Sequence, residues 1–174
     1  GAHILPDSGA ASTIDVSDGL PHNSVFAFCE VAQGEIWIGT NDGVRVLNRG
    51  RLARTGIEEL DNKPAYQIIK TNSGRIWCGS RGKVFLVSGR RLEKILGLHE
   101  GIPDASITVL SLDRSGRLWL GTSSHGVGMY DGGNTVTWWT VRDGLPSDWI
   151  HSIAEDEQRR LWVATREGVT QWNG

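Results

Sequence analysis

Glu35-Ile-Trp-Ile-Gly-Thr40 returns as Arg75-Ile-Trp-Cys-Gly-Ser80, as Arg117-Leu-Trp-Leu-Gly-Thr122 and as Arg160-Leu-Trp-Val-Ala-Thr165. The four central tryptophans, Trp37, Trp77, Trp119 and Trp162, stand 40, 42 and 43 residues apart. A period of about 40–50 residues marks an array of supersecondary units that bury their apolar faces on one another. The fold then turns on what one unit contains and how the units close.

In the first unit, Val25-Phe-Ala-Phe-Cys-Glu-Val31 is rich in β-branched and aromatic residues and ends at the turn Ala32-Gln-Gly34. Glu35 to Thr40 alternates about Trp37 and stops at Asn41-Asp-Gly43, a tight-turn signal. Val44 to Leu47 forms a third strand, and Asn48-Arg-Gly50 turns into a fourth, Arg51 to Thr55. A helical period shows only weakly, near Ile57–Leu60. Four short antiparallel strands make one blade of a β-propeller. The first and fourth units align without a gap at a shift of 125, Asp18-Gly-Leu-Pro21 on Asp143-Gly-Leu-Pro146 and Gly43 on Gly168. The third keeps Gly101-Ile-Pro103 and Asp113-Arg-Ser-Gly116, with one extra residue near His125. The second has drifted furthest, with Asn62-Lys-Pro64 where Gly-Leu-Pro would stand.

The chain is therefore read as one all-β domain, residues 1–174, a propeller of four four-stranded blades at about 24–56, 65–96, 106–141 and 149–174. The last blade reaches only its third strand, and Ala11 to Val16 is expected to supply the fourth. Four blades close either as a four-bladed ring of one chain or as half of an eight-bladed head-to-tail homodimer. The small blades favour the dimer.

The 174 residues suffice for a core, and a net charge of −2 argues against a nucleic-acid partner. No apolar run approaches the roughly 18 residues of a spanning helix, so no membrane insertion is expected. Cys29 and Cys78 fall at different places in their repeats and read as free buried thiols.

The loop and tryptophan motifs together resemble the two-component regulator propeller repeat, which runs Asp-Gly-Leu-Pro, Asn-x-Val, Asp-x-x-Gly-x-Leu-Trp-Ile-Gly-Thr and Gly-Leu. Asp18 to Asn23 with Val25, Asp113 to Thr122 and Asp143 to Gly168 carry the resemblance, which covers nearly the whole chain from about Ala11. It implies a sensory domain of a bacterial hybrid two-component system, in a periplasmic or extracytoplasmic compartment that the residues themselves leave open. Family members are usually rings of seven blades, whereas this sequence holds four repeats and no kinase or membrane segment.

Chemistry is sought where the repeats disagree. The second residue of each first strand is Phe26, Tyr66, Thr108 or His151. Alternation either sends these side chains into the central channel as a ligand site or between blades as core. Trp149 and Asp148 in the last loop, with His22 and His125, complete the candidate ligand-binding set on the face of the Asp-Gly-Leu-Pro loops. Asp18 and Asp143 read as turn formers, and the four repeated tryptophans read as core. No catalytic residue, metal site or cofactor is expected. The histidines lack ligand spacing, and no His–Glu constellation matches that of the propeller lyases. The expected function is non-enzymatic sensing or binding of a small polar ligand such as a glycan fragment. A protein-interaction scaffold is the first alternative and a propeller lyase or hydrolase the second.

Overall fold

Alternation gives every strand two sides, and with apolar residues on both, each sheet needs a neighbour on either face. The computed structural model describes residues 1–4 and 12–172 and stacks the sheets in chain order. A hairpin comes first, β1 (Ala2–Ile4) with β2 (Ser12–Ile14). The first sheet follows as β3 (Val25–Ala32), β4 (Glu35–Thr40), β5 (Gly43–Asn48) and β6 (Arg51–Arg54). A single turn, α1 (Glu58–Asp61), then leads to β7 (Gln67–Lys70), β8 (Ile76–Gly79), β9 (Val84–Ser88) and β10 (Arg91–Leu96). The third sheet holds β11 (Ile107–Leu112), β12 (Leu118–Thr122), β13 (Val127–Tyr130) and β14 (Thr137–Trp139). The fourth holds β15 (Ile150–Glu155), β16 (Leu161–Thr165) and β17 (Gly168–Trp172). All pairings are antiparallel between chain neighbours, as the repeat predicts.

Three apolar seams join the four sheets. Trp37, Val44 and Val46 meet Ile68, Cys78 and Phe85 in the first. Trp77, Val84 and Leu86 meet Ile107, Leu110 and Leu118 in the second, and Trp119 and Val127 meet Ile153, Leu161 and Val163 in the third. Leu60, Ile102 and Leu145 drop into these seams from the connecting loops. Each tryptophan thus faces the following sheet, and burying an indole of about 200 Å² contributes on the order of 5 kcal/mol. The glycine two residues on lets that sheet come close. A Cβ at Gly39 would stand 2.6 Å from the Ala65 carbonyl oxygen, and one at Gly79 would stand 2.7 Å from that of Ile107. In the fourth sheet Ala164 replaces this glycine, and there no described sheet follows. Trp162 is accordingly only half-buried, where Trp37 and Trp119 are sealed. Cys29 and Cys78 are free thiols beside the first seam, and burial raises the thiol pKa of both.

The expected splice is not made. Strand β2 pairs with β1, leaving the fourth sheet three-stranded, and no described cluster joins it to the first sheet. Ala11, the first residue of the expected strand, lies outside the described residues. The hairpin repeats β13–β14 at the same shift of 125. Ala2 pairs Ile14 as Val127 pairs Trp139, and the Gly1 amine donates to Asn23 O (2.6 Å) as Gly126 N donates to Asp148 O (2.9 Å). A partner a few residues away closes a far shorter loop than one at the other end of the chain, so the local pairing wins.

A buried indole N–H needs an acceptor, and a carboxylate at the turn before β12 and β16 provides one. Asp113 Oδ2 accepts from Trp119 Nε1 (3.0 Å) and Arg117 Nε (2.6 Å), and Asp156 Oδ2 from Trp162 Nε1 (2.8 Å) and Arg160 Nε (2.6 Å). Each carboxylate also holds two backbone N–H groups of its own turn. Burial pushes both carboxyls up, but the hydrogen bonds outweigh it, lowering Asp113 and holding Asp156 at about 2.

Two outcomes follow for stability. Trp119→Ala costs about 3–5 kcal/mol in urea unfolding, whereas Trp162→Ala, with one face already wet, costs clearly less. Both carboxyls titrate lower folded than unfolded. Their contribution is therefore complete above the ordinary value near 3.8 and is lost as pH falls toward about 2. Melting temperature followed down through that window drops in the parent chain and flattens in Asp113→Asn and Asp156→Asn.

Candidate functional site

The loops between sheets and the turns after second strands share one face, where Gly82 N donates to Ala105 O (2.9 Å) and Gly126 N to Asp148 O (2.9 Å). Three of those loops carry a 3-10 turn closed by its own acid. Asp18 accepts from Asp15 N at 3.0 Å, Glu100 from Gly97 N at 2.7 Å and Asp143 from Thr140 N at 2.9 Å. Asp18 and Asp143 are turn formers, as the sequence reading has them, and Glu100 does the same in the third unit. Gly19, Gly101 and Gly144 follow with positive φ, the left-handed cap that favours glycine. In the second unit α1 replaces this device, and its Asp61 is buried, accepting from Thr55 N (2.7 Å) and Thr55 Oγ1 (2.9 Å).

Simple alternation does not govern the four variable positions. Register slips between Val25 and Ala27, between Ile107 and Val109, and between Ile150 and Ser152, making Phe26, Thr108 and His151 bulge residues. A bulge releases its residue from the two-sided pattern and re-aims the side chain. Tyr66 sits immediately before β7, its N–H on Gly79 O at 2.9 Å. Two groups form. Phe26 and Tyr66 rings lie 5.3 Å apart, and Trp149 lies 6.3 Å from His151 with the Arg166 guanidinium 5.3 Å over its indole. Phe26 and Trp149 are exposed, at 47% and 42%. Thr108 Oγ1 belongs to neither group; it is the one fully buried side-chain polar atom without a partner among the described residues.

The remaining candidates serve local turns. His22 Nδ1 accepts from Ser24 N at 2.8 Å, and Asp148 Oδ1 accepts from Val141 N at 2.8 Å. His125 Nδ1 meets Ser124 Oγ at 2.9 Å. Among the described residues no three histidine, cysteine or acidic side chains gather to hold a metal.

On the opposite face, at the turns joining first to second strands, a cleft of about 840 Å³ opens between the second and third sheets. Lys70, Arg75 and Lys94 rim it, with Trp77, Leu118 and Tyr130 in its walls. Lys94 Nζ donates to the Tyr130 hydroxyl and lies 4.9 Å over its ring. Reading the sequence for variable positions on the other face missed this cleft; its signal was the altered turn Thr71-Asn-Ser-Gly74.

The family described as two component regulator propeller matches residues 19–42, 101–124 and 144–167. No curated protein matches the chain. Among solved structures, the extracellular domain of a putative hybrid two component system from B. thetaiotaomicron aligns at 26% identity and TM-score 0.75, over 89% of this chain and 22% of that one. A second such domain from the same organism aligns at 21% identity and TM-score 0.76, over 95% and 24%. The chain thus spans about a quarter of the length of these relatives. Virginiamycin B lyase from Staphylococcus aureus, bound to quinupristin, shares the fold at 14% identity and TM-score 0.68, over 98% of this chain and 62% of the lyase. Indole motifs and strand order agree in the three matched segments, which carry the two-component regulator propeller repeat.

Proposed function

We propose that the chain is a non-enzymatic ligand-sensing part of an extracytoplasmic propeller, taking a small polar ligand such as a glycan fragment on the Asp-Gly-Leu-Pro face. One observation carries the reading. Around the start of the first strands, where three of the four repeats carry a bulge, the residues differ and two groups present aromatic and imidazole surface to solvent. Aromatic faces suit the C–H surfaces of sugars, while His151 and Tyr66 offer hydrogen bonds to hydroxyls. The description of similar structures as extracellular domains of two-component systems supports both the sensing role and the compartment. The lyase likeness carries fold alone, and a lone polar group in a turn lacks the positioned partner that catalysis needs.

A second copy is the proposed assembly. Phe28 on the first sheet and Val169 on the fourth are 56% and 61% exposed, on sheets whose counterparts elsewhere in the array are packed. In a head-to-tail pair, β17 of one copy takes the place of β1 beside β2 of the next, and Ala164 sets that seam wider than the internal ones.

Titration calorimetry with neutral oligosaccharides gives binding heat that Phe26→Ala or Trp149→Ala lowers several-fold. Silence across the whole set sinks the sensing reading. Light scattering of the homodimer returns twice 19.0 kDa, and a mass of one chain at all concentrations refutes the assembly.

A further inference from the structure

Three of the four repeated indoles donate to a carboxylate, and the fourth donates to none among the described residues. Asp113 serves Trp119 and Asp156 serves Trp162. In the first sheet Val31 stands at the aspartate position, but Glu35 supplies the carboxylate from the start of the same strand, accepting from Trp37 Nε1 at 3.2 Å. In the second sheet the aspartate is Thr71. Its hydroxyl keeps the turn, accepting from Arg75 N at 3.0 Å, and Gly74 N still donates to Thr71 O at 2.9 Å. It does not reach the side chains that an aspartate would bind. Trp77 is 7% exposed, and its Nε1 has no acceptor among the described residues.

That N–H is nevertheless reachable. Thr108 Oγ1 is the sole fully buried unpaired side-chain polar atom described, so Trp77 Nε1 keeps contact with the cleft whose wall its indole forms. Arg75 is loosened by the same loss. Arg117 and Arg160 grip their aspartates at 2.6 Å and lie 5.6 and 5.7 Å over their indoles. Arg75 instead leans to Glu93 at 3.7 Å, and its side chain is 51% exposed. Lys70 adds a second cation at the rim and makes no ion pair among the described residues. Asp131, also in the cleft, is turned to its own loop, accepting from Gly133 N at 2.9 Å.

We propose that this cleft binds the carboxylate of a small acidic ligand, which takes the position vacated by the aspartate and accepts from Trp77 Nε1 and Arg75 Nε. The geometry is the one the chain itself uses twice, with the acid supplied from outside. An indole donor held by its strand with an arginine cation on the same cleft, partly desolvated, favours an ionised acceptor over a neutral one. A sugar acid satisfies this chemistry, and so does a simple organic acid. The proposal is independent of the neutral-ligand site on the other face.

Indole N–H resonances give a direct readout. With D-galacturonate, the Trp77 signal, assigned by its loss in Trp77→Phe, moves downfield while those of Trp119 and Trp162 stay. D-galactose leaves all three in place. Acetate distinguishes the sources: a shift at equal concentration marks a bare carboxylate as sufficient, and a shift only with galacturonate marks a sugar acid. Arg75→Gln weakens binding about tenfold or more. Thr71→Asp restores the internal acid, so the Trp77 signal sits near its bound position without ligand, binding is abolished and the melting temperature rises. A Trp77 signal indifferent to every carboxylate, or equally moved by galactose, overturns the proposal. So does undiminished binding in Thr71→Asp; should that variant not fold, Arg75→Gln with unchanged affinity overturns it as well.

Discussion

The inner sheets here are stabilised from both sides, and that requirement orders the rest of the structure. A three- or four-stranded sheet with apolar residues on both faces is unstable alone, so its indole must be covered by the next first strand. Close cover in turn demands glycine two residues after the tryptophan, because a Cβ there would meet the following backbone at under 3 Å. Where no described sheet follows, the demand lapses. Ala164 replaces glycine and Trp162 opens to solvent in the same unit. Residue identity thus tracks coverage, unit by unit.

Burying an indole edge creates a second constraint, since its N–H must find an acceptor. The aspartate at the preceding turn meets it while holding two backbone N–H groups and an arginine, so one side chain fixes turn, strand start and core residue together. The first sheet reaches the same end with Glu35, from a different position and with Arg90 as the paired cation at 3.2 Å. Two sequence solutions to one buried donor show that the donor, rather than the aspartate, is what the fold has to satisfy.

The strands within each repeat, the turn positions and the direction of the tryptophans were legible because they depend on local alternation and on turn residues. Even Trp138 and Trp139 behave as alternation requires, the first packing into the second seam and the second into the third. The fate of Ala11 to Val16 was not legible. The match of Asp18-Gly-Leu-Pro21 to Asp143-Gly-Leu-Pro146 aligns β2 with β14, but it does not say which neighbour pairs with β2. The β1 segment has no motif to announce it, and only the register of Ala2 with Ile14 reveals the missed strand. The bulges escaped for a related reason. An extra residue in a first strand leaves no mark in hydrophobic pattern, so Phe26, Thr108 and His151 looked like ordinary alternating positions.

Thr71 stands in the sequence where the third and fourth units have aspartate, but the repeat pattern alone does not mark it as different from other departures. A repeat protein's departures fall into two kinds, and the structure separates them by asking what happens to the group left behind. Replacing glycine by Ala164 strands nothing, because no described sheet opposes it. Replacing the turn aspartate by Val31 strands nothing either, because Glu35 accepts from the indole. Replacing it by Thr71 leaves a nearly buried indole without an internal acceptor, and an arginine turned to Glu93, both lining one open cleft. Exchanging an internal carboxylate for solvent at such a donor costs stability. A departure that keeps this cost uncompensated within the chain is where an external acceptor has the most to gain.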